Sequence, residues 1–516
     1  MRVIFGSDKD DSSQVSRLAD GIEPGVWRYT KAERVSVIVD AADYFAVMQQ
    51  AMLKARRRIF LIGWDFDTRI HLARGRRWYQ KGRRGGYPSR LGGFFVWLVR
   101  HRPELEIRIL KWSISVFQFV FRGAMWMDLV RWWPHRQIDF KFDNAHPIGC
   151  SHHQKIVVLD NRLAVCGGID MTVKRWDTRE HLEHDRRRRL PGGKRHGPWH
   201  DATMMLEGPV ARDLAELGED RWLRAGGKPL DEVTPASESL WPDDLAVQFE
   251  NVEVAISRTR ACYRNWKAVH EIEQLFVRHI GRAKRFIYAE SQYFASRAIA
   301  EAIVKRLAED DPPEIVIVHP PHADGWLEQQ AMDHARAQLV RTIEAADRHG
   351  RFSLWMPFTG ETSIYVHAKI CIVDDEILRI GSANMNNRSL GLDSECDVSI
   401  DCARPANGHC GPAIRKLRHS LLAEHCDVPE EDVDALVQQA GSLRAFIEKA
   451  AEQPGARRTL RRYHPPELTA VEETLADSAL LDPERPEDMF EPFAKGGLFR
   501  EGSRLRRIRE RLRRKR

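Results

Sequence analysis

Two stretches of this chain pair residues able to do phosphoryl chemistry: HHQKIVVLD, His152 to Asp160, and VHAKICIVD, Val366 to Asp374. Both spell His-x-Lys-x-x-x-x-Asp. A neutral imidazole can attack phosphorus, and a lysine beside it can stabilise the non-bridging oxygens during transfer. A second imidazole on the opposite side can protonate the leaving oxygen. Two copies supply one of each, so a phosphodiester is expected between His153 and His367, gripped by Lys155 and Lys369. A lysine in an apolar run is costly to bury without a charged partner, and bound phosphate would be that partner.

Each imidazole also needs its other nitrogen held, which a carboxylate does well. HDATMMLEGP from His200 mirrors SECDVSIDCARP from Ser394, so Asp201 matches Glu395. This alignment assigns Asp201 to His153 and Glu395 to His367. In LRIGSAN, Asn384 can donate to phosphate, with Ser382 counted beside it as substrate-binding. Asp170 holds the matching place in AVCGGID and is expected to orient other groups at the substrate. Asp160 and Asp374, seven residues beyond their histidines, read as structural acids in a turn. His152 gains no support from the repeat and takes a supporting role.

The elements that must position these groups follow from the same text. Four apolar residues after each lysine make a buried strand, and residues two apart share a face, so each histidine points with its lysine. A turn, Asp160-Asn161 or Asp374-Asp375, leads to a returning strand in each copy. RRIFLIGWDFD and IYAESQYF occupy equivalent places earlier, as do EIRILKW and EIVIVHP. The repeat therefore covers whole α/β units. The expected fold is α/β, with two duplicated α-β-α sandwich domains packed face to face and one active site between them. The expected division is a lead-in over 1–33, catalytic halves over 34–228 and 245–427, a helical extension over 428–475, and a Pro-rich linker with a basic tail over 476–516. An insertion, Asp177 to Trp199, is polar, basic and turn-rich, and reads as a surface loop: either a lid over the site or a solvated loop without consequence.

Among 516 residues there are 81 basic and 74 acidic side chains, a formal net charge of +7. Ten basic and two acidic residues fall between Arg500 and Arg516, so the positive excess sits in the tail. Leu505, Ile508 and Leu512 share a helical face there, which suits an anionic membrane surface, a nucleic acid or a plain solvated end. Trp112 to Trp133 holds four of the fifteen tryptophans, but Arg122, Asp128 and Arg131 interrupt it, so a buried or interfacial helix is expected over a membrane span. No secretory signal is read at the start. The eight cysteines form no C-x-x-C pair, so neither a zinc site nor a disulfide framework is indicated, in keeping with a reducing cytosol.

These motifs resemble the phospholipase D superfamily, whose signature is this duplicated pattern. The resemblance runs from about Arg34 to His425; GGIDMTVKRWD is similar to the family's first-half continuation, while PWHD, AESQYF, GSANMNNRS and the LRHSLLAEH helix are similar to segments of the phosphatidylcholine-cleaving and transphosphatidylating branch. It implies a covalent phosphohistidine, with His153 as nucleophile and His367 as acid and then base, and it places Gln292 of AESQYF with the substrate-binding residues. It implies no metal and no cofactor. The expected substrate is a phospholipid, reached from the cytoplasmic face of a membrane through the basic tail. The alternatives are a nuclease of the same superfamily, a cardiolipin synthase-like transferase, or a non-catalytic lipid-binding protein.

Overall fold

The computed structural model describes residues 23–77, 86–112, 123–147, 149–322 and 326–466. The basic tail, most of the lead-in and part of the aromatic stretch after Trp112 lie outside them, and with them the expectations placed there. Among the described residues no helix is long and apolar enough to cross a membrane.

The first half contributes β1 (Arg28–Val39), β2 (Arg58–Gly63), β3 (Glu106–Trp112), β4 (Ile138–Asp143), β5 (Ile156–Leu159), β6 (Leu163–Gly167), β7 (Trp199–His200) and β8 (Ala202–Glu207). Except for β7, they pair in the order β4-β3-β2-β5-β6-β8-β1. The second half contributes β9 (Phe249–Arg260), β10 (Val269–His270), β11 (Phe286–Glu290), β12 (Glu314–Val318), β13 (Phe352–Thr359), β14 (Thr362–Ser363), β15 (Tyr365–Val366), β16 (Ile370–Val373), β17 (Ile377–Gly381), β18 (Glu395–Asp401) and β19 (Arg458–Arg462). Its order, β13-β12-β11-β16-β17-β18-β9, repeats the first half strand for strand. The central parallel strands β2 and β12 read as nearly unbroken apolar runs, RIFLIG and EIVIV, as strands covered on both faces do.

The two expected halves are joined edge to edge as well as packed together. β1 pairs antiparallel with β9, from Arg28 opposite Ile256 to Val35 opposite Phe249, so the half-sheets form one continuous ladder. One face of both halves, with the helices Val210–Arg224 and Gly411–Cys426, shares a single core containing Val35, Phe60, Val158, Val254, Ile372 and Leu421. The opposite faces have separate cores under their own helices.

Both hairpin turns fall where the sequence places them. Asp160 and Asn161 have φ of 49° and 50°, and Asp374 and Asp375 have 56° and 60°. Two successive left-handed residues make the tight turn whose twist matches antiparallel strands, and Asp and Asn tolerate that conformation better than other side chains.

Two expectations are corrected. The extension after residue 428 is not wholly helical, because Arg458–Arg462 adds β19 to the edge of β13. Its arginine-rich text hides a strand, charge being a common device on a sheet edge. The insertion after Asp177 is not simply solvated, since Asp177, His181, Asp185 and Arg188 are buried within it.

Candidate active site

Each His-x-Lys segment leaves its own half and lies beside the carboxylate strand of the other. The His153 N–H donates to the Ser394 carbonyl at 2.9 Å, and the Ser394 N–H donates to Ser151 at 2.9 Å. In the mirrored place β15 pairs in parallel with β7, and the His367 N–H donates to the His200 carbonyl at 2.7 Å. The carboxylate partners are therefore crossed. His153 Nδ1 lies 2.9 and 3.0 Å from the two oxygens of Glu395, and His367 Nδ1 lies 2.7 Å from Asp201 Oδ2.

This reverses the assignment of Asp201 to His153 and Glu395 to His367, while confirming that the two acids are equivalent. Gly167 faces Thr203 and Gly381 faces Asp397, so the acids occupy the same register two residues earlier. Within one half, β6 stands between the histidine strand and the carboxylate strand, a separation of two strand spacings or about 10 Å. Each histidine instead finds its carboxylate on the opposite half, within hydrogen-bond reach. Gly168 makes room for this contact on the His367 side: a Cβ there would meet Asp201 Oδ1 at 2.1 Å.

The lysines turn back to their own histidines. Lys155 Nζ donates to the His153 carbonyl at 2.8 Å and lies 3.5 Å from Asp170 Oδ2. Lys369 Nζ donates to the His367 carbonyl and, at 3.3 Å, to Gln292 Oε1. Asn384 Nδ2 reaches the same Gln292 oxygen at 3.5 Å, while its own Oδ1 is buried without a hydrogen bond. Gln292 donates in turn to the Tyr365 hydroxyl at 2.8 Å. Asp170 accepts from the backbone N–H of Trp64 and Asp65 at 3.1 and 3.3 Å. Ser382 is not placed for substrate. Its hydroxyl donates to Glu395 at 2.5 Å and accepts from the Cys396 N–H at 3.0 Å. A hydroxyl next to a buried carboxylate is drawn to that charge, a contact the repeat alone does not disclose.

The motif acids are structural. Asp160 accepts the backbone N–H groups of Arg56, Arg57 and Arg58 at 2.6 to 2.8 Å, and Asp374 accepts those of Lys284, Arg285 and Phe286 at 2.7 to 2.8 Å. Each carboxylate thus fixes the start of the strand next to its histidine. His152 is also structural, 2.9 Å from Asp143, with its imidazole pushed down to about 4 by burial and by Arg221.

Burial dominates the electrostatics. It holds the His153 imidazole well below its ordinary value, with Lys155 and Lys369 adding to the effect. His367 is lowered likewise by burial, Lys369 and Arg175. Glu395 is pushed up to about 7 by burial, against Lys155 and the hydroxyls of Ser382 and Ser389. Burial pushes Lys369 down to about 7, with Asp201 opposing. Burial thus disfavours the charged forms of both imidazoles, Glu395 and Lys369, and an anion bound between the lysines would favour the charged lysine and the protonated imidazole.

Several site residues escape a reading by motif. Trp64 stacks on Trp112 at 5.8 Å and meets the His153 ring edge-on at 6.1 Å, while Trp199 lies 5.2 Å from the His367 ring and stacks on Tyr365 at 4.5 Å. Arg175 lies 4.3 Å over the Trp199 ring. It is buried, and its Nε has no hydrogen bond among the described residues. Its place in GGIDMTVKRWD, five residues after Asp170, was the available signal. Ser389 donates to Glu395 at 2.7 Å and falls in the second-half segment GSANMNNRS.

Comparison with known proteins identifies the family. The Phospholipase D family profile matches residues 135–302 and 355–466, just over half of the chain. The chain belongs to the phospholipase D family. A second profile, described as cardiolipin synthase, PLD-like domain, matches residues 276–409. Among phospholipases D, the chain is 26% identical over 502 residues to Phospholipase D1 of Saccharomyces cerevisiae, covering 76% of this chain and 29% of that one. It is 26% identical over 403 residues to Phospholipase D alpha 1 of Zea mays, covering 54% and 49%. This chain thus spans half or less of the length of these phospholipases D. Among solved structures, phosphatidylserine synthase of Haemophilus influenzae superimposes with a TM-score of 0.49 at 11% identity, over 86% of this chain and 99% of that one.

Proposed function

We propose that this chain breaks the headgroup phosphodiester of phospholipids through a covalent phosphohistidine and passes the phosphatidyl group to water or an alcohol. The observation that carries the reading is the crossed pair of dyads, His153 with Glu395 and His367 with Asp201, each with a lysine two residues on, meeting at one seam. His153 Nε2 attacks phosphorus while Glu395 takes up the charge growing on its ring. His367 gives its proton to the leaving headgroup oxygen as the P–O bond breaks. It then removes a proton from water or an alcohol, whose oxygen attacks phosphorus and displaces His153. Lys155, Lys369 and Asn384 grip the non-bridging oxygens, where charge collects in the transition state.

A lipid substrate is supported by the names of the relatives and by the aromatic pairs beside both imidazoles. We place the enzyme at the cytoplasmic face of a membrane, drawn to anionic lipid by the basic tail, each tail cation being worth about 1 kcal/mol near such a surface. The chemistry is tested with a diester carrying a p-nitrophenyl leaving group, which departs without protonation. His153→Ala should form no phosphoenzyme, whereas His367→Ala should form it and fail to turn it over. Equal trapping in both variants would refute the assigned roles. The substrate class is tested by offering the enzyme phosphatidylcholine vesicles and plasmid DNA in parallel. Release of phosphatidic acid without DNA nicking is expected, and the reverse result would make it a nuclease.

A further inference from the structure

Beside the His367 end of the site, four elements bring polar atoms together in a place sealed from solvent. Asp40 closes β1, His181 belongs to the insertion, His200 to β7 and Glu424 to the helix Gly411–Cys426. All four are buried, and their nearest ligand atoms lie within 4.8 Å of one another. His181 Nε2 is 2.9 Å from Glu424 Oε1 and 3.4 Å from Asp40 Oδ2. His200 Nδ1 is 2.8 Å from Glu424 Oε1 and 3.5 Å from Asp40 Oδ1.

Two of these atoms lack the partners a hydrogen-bonded cluster would give them. His200 Nδ1 makes no hydrogen bond despite the nearby carboxylates, and Asp40 Oδ2 accepts none. The far nitrogens of both rings, by contrast, are firmly held: His181 Nδ1 by Asp177 at 3.0 Å and His200 Nε2 by Glu290 at 2.7 Å. A carboxylate behind each imidazole is the usual support of a metal-binding histidine, fixing the ring and raising its basicity.

The charges point the same way. Asp40, Asp177, Glu290 and Glu424 bring four carboxylates, answered by the guanidiniums of Arg179, on Glu424, and Arg188, on Asp177. His425 and the Tyr288 hydroxyl also face Glu290, at 3.1 and 2.6 Å, and a buried cluster so rich in carboxylates suits a bound cation.

We propose that Asp40, His181, His200 and Glu424 hold a structural zinc ion. Two nitrogens and two oxygens at about 2.0–2.2 Å from zinc would stand roughly 3.3–3.5 Å apart in a tetrahedron. The four imidazole–carboxylate separations, 2.8 to 3.5 Å, bracket that spacing, and all four ligand atoms lie within 4.8 Å of one another, so the side chains have to draw in only slightly. All four positions are filled by protein, so the ion has no open place for substrate and its role is to staple. It ties β1, the insertion and the second-half helix together. It also steadies the acid-base group from behind, since Asp201 and Asp40 exchange hydrogen bonds at 2.7 and 3.1 Å and the His200 carbonyl accepts from His367.

Metal analysis of wild-type protein, made in zinc-supplemented medium and purified without chelator, should find about one zinc per chain, bound by nitrogen and oxygen alone. Asp40→Asn combined with His181→Gln should lose it. Unfolding in chelator and refolding should yield a lower melting temperature unless zinc is returned. The wild-type measurements stand even if the variant fails to fold. Under about a tenth of an equivalent of zinc, with refolding indifferent to the ion, would overturn the proposal and leave a pair of protonated histidines. Zinc retained undiminished in a folded variant would overturn it too, because the ion would sit elsewhere.

Discussion

At the residue scale the site sets solvation against charge, and the conflict yields two pH predictions. Glu395 is raised from 4.5 to about 7, so its ionised form is disfavoured by the fold. Its cost to stability is absent below the ordinary carboxylate value and complete above about pH 7. Glu395→Gln removes that cost and keeps the shape of the side chain. The variant should melt on the order of 1–3 °C higher than wild type at pH 8. Its kcat should fall about 100- to 10,000-fold, as expected when an imidazole loses its orienting acid. Lys369 is lowered from 10.5 to about 7, so in the free enzyme it loses its proton as pH rises through that value. KM for the phosphodiester should therefore climb above pH 7, approaching tenfold per unit, and steady-state kinetics between pH 6 and 9 would show it. Arg175 belongs with these groups, since a buried guanidinium over Trp199, whose Nε has no hydrogen bond among the described residues, is suited to substrate oxygens. Arg175→Gln should raise KM by about tenfold or more with a smaller change in kcat, one lost charge-assisted hydrogen bond being worth about 1.5–3 kcal/mol.

At the element scale, the crossing of His-x-Lys segments and carboxylate strands makes a sharper prediction than the residues alone. With the p-nitrophenyl diester, Glu395→Asn should slow phosphorylation of His153. Asp201→Asn should leave that step near wild type and slow only release, because its partner His367 is not needed for such a leaving group. Rapid-quench measurement of the phosphoenzyme separates the two, and the uncrossed pairing predicts the opposite result. The motif acids give a stability test on the same elements. Each accepts three backbone N–H groups, and an amide has one acceptor oxygen, so Asp160→Asn or Asp374→Asn should cost about 1–3 kcal/mol in chemical denaturation. The strands, the Asp160-Asn161 and Asp374-Asp375 turns and the equivalence of Asp201 with Glu395 were legible because they depend on local pattern and on the repeat. Which half supplies each carboxylate was not, since a duplication aligns Asp201 with Glu395 equally well whether partners lie within a half or across the seam. Ser382 misled for a related reason: its neighbour in space, Glu395, is thirteen residues away in the chain, and only the pairing of β17 with β18 joins them.

At the scale of the whole molecule, the boundary between halves is shifted from the one the text suggests. Residues after 228 still belong to the first half, because the Asp231 carbonyl accepts from Arg58, Val233 from Asn161, and Leu240 donates to Glu207. The chain stays on the first half through Asp243, 2.7 Å from Lys54, and Asp244, 2.8 Å from Gln50, and enters β9 at Phe249. A break after Asp244 therefore cuts no strand or helix. Neither fragment can form the site, since His153 depends on Glu395 and His367 on Asp201 from across the cut. Neither can bury its own share of the common core, which draws Val35, Phe60 and Val158 from one side and Val254, Ile372 and Leu421 from the other. Each would also expose an unpaired strand edge, β1 or β9, a ready template for aggregation. Expressed alone, residues 1–244 and 245–516 should be inactive and largely insoluble. Expressed together in one cell, they should copurify through the β1–β9 ladder and recover phosphodiesterase activity, which His153→Ala in the first fragment should abolish. Activity from either fragment alone would show that one half can complete a site by itself, and would refute the crossed arrangement on which the mechanism depends.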